Sequence, residues 1–123
     1  MQQPQTNTRL PEECAQAQLE AYNDRDILRF ADVYADNVEL IDLATGVAFC
    51  SGRQALIDRF RPMFEQRTNL HCHLVQRVVC PPFVFDEERV LGLSDSGEIH
   101  AVATYECANG VIQRAWFVKE TAS

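Results

Sequence analysis

Four sets of side chains in this sequence have types and spacing suited to chemistry. His71-Cys72-His73 sets two imidazoles two residues apart. On a strand both lie on one face. With a third ligand from Glu98, His100, Asp86 or Glu88 they could hold a metal ion; otherwise they are surface or interface histidines. Asp86-Glu87-Glu88-Arg89 concentrates charge in what reads as a strand. Such a run ordinarily makes a solvated edge or cross-strand ion pairs, here with Arg77. Asp42 precedes Ala44-Thr45-Gly46, where an aspartate caps the turn through local hydrogen bonds. Tyr22 and Tyr105 lie on apolar phases. Each is either a core aromatic with its hydroxyl at the edge or a phenol turned into a cavity.

Several chemistries have no motif here. The five cysteines, Cys14, Cys50, Cys72, Cys80 and Cys107, are odd in number and form no CxxC pair, as expected of small buried hydrophobes in a reducing compartment. Cys72 and Cys107 fall on apolar strand faces, where a thiol is inert. The five glycines are isolated, so no phosphate-cradling loop is present, and no G-x-S-x-G elbow occurs.

The elements that must position these residues follow from periodicity. Residues 1–10 read as a loose polar tail and 11–120 as one domain. Pro11-Glu12-Glu13 opens a helix with Ala15, Gln18, Leu19 and Tyr22 at helical spacing, ending near Asn23-Asp24. Asp26 caps a second helix whose apolar side is Ile27, Phe30, Ala31, Val33 and Tyr34. Asp36-Asn37 breaks it, and Val38, Leu40 and Asp42 alternate with Glu39, Ile41 and Leu43 as a short strand. Ser51-Gly52 precedes a third helix, about 53–65, with Pro62 predicting a kink. Four strands follow, over 70–80, 83–93, 98–107 and 111–119, with Pro81-Pro82 and Asn109-Gly110 as punctuation. Helices first and antiparallel hairpins after predict an α+β domain: helices packed into a strongly curved, mainly antiparallel sheet, making a cone around an apolar pocket.

Composition agrees. The chain has 123 residues, 46% hydrophobic and 24% charged, enough to bury a core without staples. Its net charge is −7, from 18 acidic and 11 basic residues, with no basic stripe, which argues against nucleic acid as a partner. No apolar run reaches the length of a membrane span, and the polar first residues lack a signal-peptide core; the expected location is cytoplasmic, with no membrane partner.

Tyr34-Ala35-Asp36-Asn37 leading into Val38–Asp42, Ser51-Gly52-Arg53 opening the third helix, and Asn109-Gly110-Val111-Ile112 running into Trp116-Phe117 are the basis of a family likeness. Over residues 12–119 the sequence resembles the nuclear transport factor 2-like superfamily, in its SnoaL-like and steroid delta-isomerase-like branch. The resemblance implies the cone fold, and a carboxylate base at the end of the first strand, which falls on Asp42. Burial in an apolar cone would raise its pKa. It also shows departures. Gln18 and Ala103 stand where the steroid isomerases carry the tyrosine and the protonated aspartic acid that hold the oxyanion, and Phe60 stands where they carry a second, supporting tyrosine. This argues against the steroid isomerase mechanism.

Two functions remain open. One is a cofactor-free isomerase or cyclase-type enzyme acting on a small apolar carbonyl compound, with Asp42 as base and Tyr105 as its partner. Gln18, Tyr22, Phe30, Phe60, Phe64, Leu70, Leu74, Ala103, Ala115 and Phe117 would line its pocket. The other is a non-catalytic ligand-binding or dimeric interaction domain. The expected assembly is a homodimer through the outer sheet face. That face would carry Ile112, Arg114, Trp116 and Val118, with Val75, Val79, His71, His73 and Arg77 beside them. The opposite phase would put Trp116 in the pocket.

Overall fold

The computed structural model describes residues 8–95 and 97–121; most of the expected N-terminal tail, residues 1–7, lies outside them. Three helices, α1 (Pro11–Asn23), α2 (Ile27–Asp32) and α3 (Arg53–Gln66), pack on a six-stranded curved sheet that does not close. The strands are β1 (Tyr34–Asp42), β2 (Ala48–Ser51), β3 (His71–Cys80), β4 (Phe83–Leu91), β5 (Ile99–Ala108) and β6 (Val111–Lys119). Their order is β2-β1-β6-β5-β4-β3, antiparallel throughout except for the parallel pair β1–β6.

Local chemistry accounts for the helix ends. Glu13 accepts from the Leu10 amide at 2.8 Å and closes the start of α1, next to Pro11. Asp26 caps α2 through the Arg29 amide at 3.2 Å. α2 is shorter than its apolar pattern predicts. Val33 ends it and Tyr34 already belongs to β1, because the Ile112 amide donates to the Val33 carbonyl and Arg53 donates twice to that of Tyr34. Sheet pairing thus wins over helical periodicity. β2 is a strand the periodicity does not reveal; it is four residues long and paired only with β1. α3 runs through Pro62 without interruption.

Bulges set which residues face inward. The β3–β4 register shifts between Leu74 and Gln76, so the phase of β3 reverses there. Cys72 and Leu74 face the helices, and beyond the bulge Arg77 does so as well. A second shift, between Ile112 and Arg114, turns Ile112 inward while Trp116 stays outward. Three members of the expected outer face therefore move: Ile112 is fully buried, and Arg77 reaches the helix layer, donating to Gln16 at 3.0 Å. Val79 also pairs with buried Val84 and shares the inner face.

The core lies between the helices and the concave face of the sheet. Its centre is an aromatic cluster in which Phe30 touches Tyr34 and Phe60 at 5.0 Å and Phe64 at 5.3 Å between ring centroids. Asn23, ending α1, ties that helix to β3: it accepts from the Cys72 amide at 2.7 Å and donates to the Cys72 carbonyl at 3.0 Å. No helix among the described residues is long and apolar enough to cross a membrane.

Candidate functional site

A cavity of about 920 Å³ opens between the helices and the concave sheet face. Its deep wall carries Gln18, Tyr22, Phe30, Tyr34, Cys72, Glu88 and Tyr105, and its open end Asp42, Phe49, Arg59, Phe117 and Lys119. The walls are mostly apolar, which suits a small organic molecule held by a few placed polar groups.

Glu88 is the unusual residue. β4 alternates Val84, Asp86, Glu88 and Val90 inward, against Phe85, Arg89 and Leu91 outward. Two carboxylates thus share the buried phase with two valines. Asp86 is fully buried and held by Arg77, whose Nε and Nη2 donate to its two oxygens at 2.7 and 2.9 Å. Glu88 has no such cation. Among the described residues its neighbour is the Cys72 thiol, and burial together with the nearby Asp86 charge pushes its pKa up to about 7. The Cys72 thiol is pushed up in turn, chiefly by burial and then by the Glu88 charge.

Two phenols close on the same space. Tyr34 is buried and donates to the Gln18 Oε1 at 3.4 Å, and Gln18 donates to the Ala15 carbonyl at 3.1 Å. Tyr105 is 2% exposed, and its hydroxyl has no hydrogen-bond partner among the described residues. Burial, and then the Glu88 charge, raises both phenols well above the ordinary tyrosine value, so both stay protonated donors. A carboxyl that changes charge near neutral pH, lining the same cavity as a phenol whose hydroxyl has no hydrogen-bond partner among the described residues, can move a proton on a bound molecule and hydrogen-bond the oxygen that gains charge.

A family model described as the SnoaL-like domain matches residues 15–115. The chain belongs to the SnoaL-like family. This family, on the nuclear transport factor 2-like fold, includes isomerases and cyclases. No curated protein matches the sequence. Among solved structures, an uncharacterised cystatin-fold protein from Novosphingobium aromaticivorans aligns at TM-score 0.80 and 18% identity, covering 89% of this chain and 98% of its own. A protein of unknown function from Cytophaga hutchinsonii, with the fold of nuclear transport factor 2, aligns at 0.76 and 10%, covering 94% and 95%. A protein with a ketosteroid isomerase-like fold from Catenulispora acidiphila, in complex with trimethylamine, aligns at 0.73 and 14%, covering 89% and 86%. At these identities the likeness establishes the fold alone.

In this SnoaL-like chain the expected site residues divide. Gln18, Tyr22, Phe30, Phe60, Tyr105, Phe117 and Asp42 line the cavity. Phe64, Leu70, Ala103 and Ala115 are buried in the core and Leu74 packs against it; none of these five is in the lining. Asp42 sits half-exposed at the mouth and is engaged with its turn, accepting from the Ala44 amide at 3.0 Å and the Thr45 hydroxyl at 3.3 Å. Trp116 is absent from the lining. It lies on the outer face, 6.2 Å from Phe83 between ring centroids. His71 and His73 are exposed on β3, and no group of three or more His, Cys, Asp or Glu among the described residues is placed to hold a metal. The charge run on β4 corrects the expectation of a solvated edge: Arg77 pairs with Asp86 as expected, but inside the fold, and Glu88 enters the cavity. Strict alternation from Val84 to Val90 was the available signal. The bulge in β3, which aligns Arg77 with Asp86, left none.

Proposed function

We propose that this protein binds a small, mostly apolar carbonyl compound in the cavity and moves a proton on it, with Glu88 as the base and Tyr105 as the hydrogen-bond donor. What carries this reading is a single observation: a buried carboxyl with no cation in ion-pair contact among the described residues, in the wall of an apolar cavity that also holds a phenol without a hydrogen-bond partner among them. The ionised Glu88 carboxylate takes a proton from the carbon next to the carbonyl. The Tyr105 O–H donates to the carbonyl oxygen as it becomes an enolate. Return of the proton to another carbon completes an isomerisation; attack of the enolate carbon on a second carbonyl, whose oxygen then takes up the proton held by Glu88, completes a cyclisation. Asp42 serves the turn in this reading, since both its oxygens already accept hydrogen bonds there.

Deuterium uptake at the α-carbon of small cyclic ketones, followed by NMR, tests the assignment. The expected result is an exchange rate that rises with pH to a plateau with a midpoint near 7, is lost in Glu88→Gln, and is unchanged in Asp42→Asn. Loss in Asp42→Asn with Glu88→Gln active would return the role to Asp42. Ketone binding without exchange in the unaltered protein would favour the binding domain over the enzyme.

The outer sheet face supports a homodimer. Val78 is 57% and Phe85 39% exposed there, beside Phe83 and Trp116, a contiguous apolar patch of the kind that marks a contact surface. A second copy applying the same face would cover it by a two-fold interface.

A further inference from the structure

The mouth of the cavity carries charge that the proton transfer does not use. Arg59, on α3, lies over the Phe49 ring with its guanidinium carbon 4.7 Å from the ring centroid. Phe49 in turn meets Phe117 at 6.0 Å. Lys119 follows Phe117 by two residues on the same face of β6 and pairs in register with Ala101, another lining residue. Among the described residues neither cation has a carboxylate within ion-pair distance. Asp42, the acid at this end, is engaged by its own turn. The acid at the far end is Glu88.

In a chain with 18 acidic residues and only 11 basic ones, two cations at one cavity mouth with no ion-pair partner among the described residues call for a counter-charge. The aromatic rings beneath hold Arg59 in place, so little order is lost when it binds an anion. We propose that the ligand is an apolar, ring-bearing organic anion whose acidic group sits between Arg59 and Lys119 while its apolar body extends inward. This rests on the reading of the cavity as a small-molecule site, and it adds the ligand's charge and its direction of entry.

Two fluorescent probes that share their rings test it. 8-Anilinonaphthalene-1-sulfonate carries an anion; N-phenyl-1-naphthylamine has the same skeleton without it. The expected result is binding of both, with the sulfonate tighter by about tenfold at low salt, a margin typical of one charge-assisted contact. Arg59→Met and Lys119→Met should each reduce that preference, read as the ratio of the two probes' affinities, and together abolish it, while the neutral probe still binds, which also shows that the variants are folded. Equal affinity for the two probes, or a sulfonate preference that survives both substitutions, would overturn the anion site and leave the cavity reading intact. Failure of both probes to bind would overturn the cavity reading as well.

Discussion

Asp86 and Glu88 stand two residues apart on the same buried face of β4, and they meet burial in opposite ways. Asp86 is neutralised by a bidentate contact from Arg77. Glu88, one pleat further toward the cavity, has the Cys72 thiol as its hydrogen-bond neighbour and no paired cation among the described residues, and burial with the nearby Asp86 charge pushes its pKa up to about 7. One strand thus supplies both a fixed ion pair and a carboxyl free to titrate.

Glu88 makes stability depend on pH. Its native pKa of about 7 lies above the ordinary 4.5, so between these values the native state holds a proton that the unfolded chain has released. Stability therefore falls as pH rises through this window and levels off above it. Glu88→Gln should remove this component of the slope. Above pH 8 it should be more stable than the unaltered protein by on the order of 3 kcal/mol at most, with little difference near pH 4. Urea unfolding across this range measures it; equal slopes in the two proteins would refute the assignment.

The Arg77–Asp86 pair should be costly to break from one side. Arg77→Met leaves a buried carboxylate without its cation, and a loss of about 3–5 kcal/mol is expected. Arg77→Met with Asp86→Leu removes both charges and should recover much of that loss. Denaturant midpoints of the two variants read the difference. A single variant as stable as the double would show the pair to be unimportant.

Tyr105 and Tyr34 should answer differently to loss of the hydroxyl. Tyr34→Phe deletes the bond to Gln18 and should cost about 1 kcal/mol. Tyr105→Phe deletes a hydroxyl with no hydrogen-bond partner among the described residues, so thermal unfolding should shift little or upward. If Tyr105 is the donor to the enolate oxygen, its α-carbon exchange rate should still fall by about 100-fold. A large stability loss in Tyr105→Phe with unaltered exchange would assign the residue to the core instead.

The outer sheet face predicts an assembly. Trp116→Glu places a charge in the middle of the Phe83–Trp116 contact, where a partner sheet would have to desolvate it. Light scattering at micromolar concentration should find the unaltered protein dimeric and the variant largely monomeric. A monomer in the first case, or a full dimer in the second, contradicts the interface.

Much of this protein was legible in its sequence because periodicity and punctuation are local. The Pro11 start of α1, the Asp26 cap, the Asn109-Gly110 hairpin and the last four strands follow from neighbouring residues, and with them the α+β class; the family likeness rested on the Tyr34–Asp42, Ser51–Arg53 and Asn109–Phe117 motifs. Most of the aromatic lining followed too, since Phe30, Phe60 and Phe117 lie on inward phases. What the sequence alone could not decide is phase across a bulge. One extra residue near Val75 turns Arg77 from the outer face to the inner one, and one at Gln113 separates Ile112 from Trp116. The extra residue is accommodated by pairing with a partner strand, which local propensity does not record. Glu88 shows the same limit. Beside three other charged residues it reads as solvated, and only the packing of α1 over the concave sheet makes it a buried acid. The helices and strands were set by residues in sequence; that Asp42 is tied to its own turn while Glu88 is buried in the cavity wall was set by the tertiary fold.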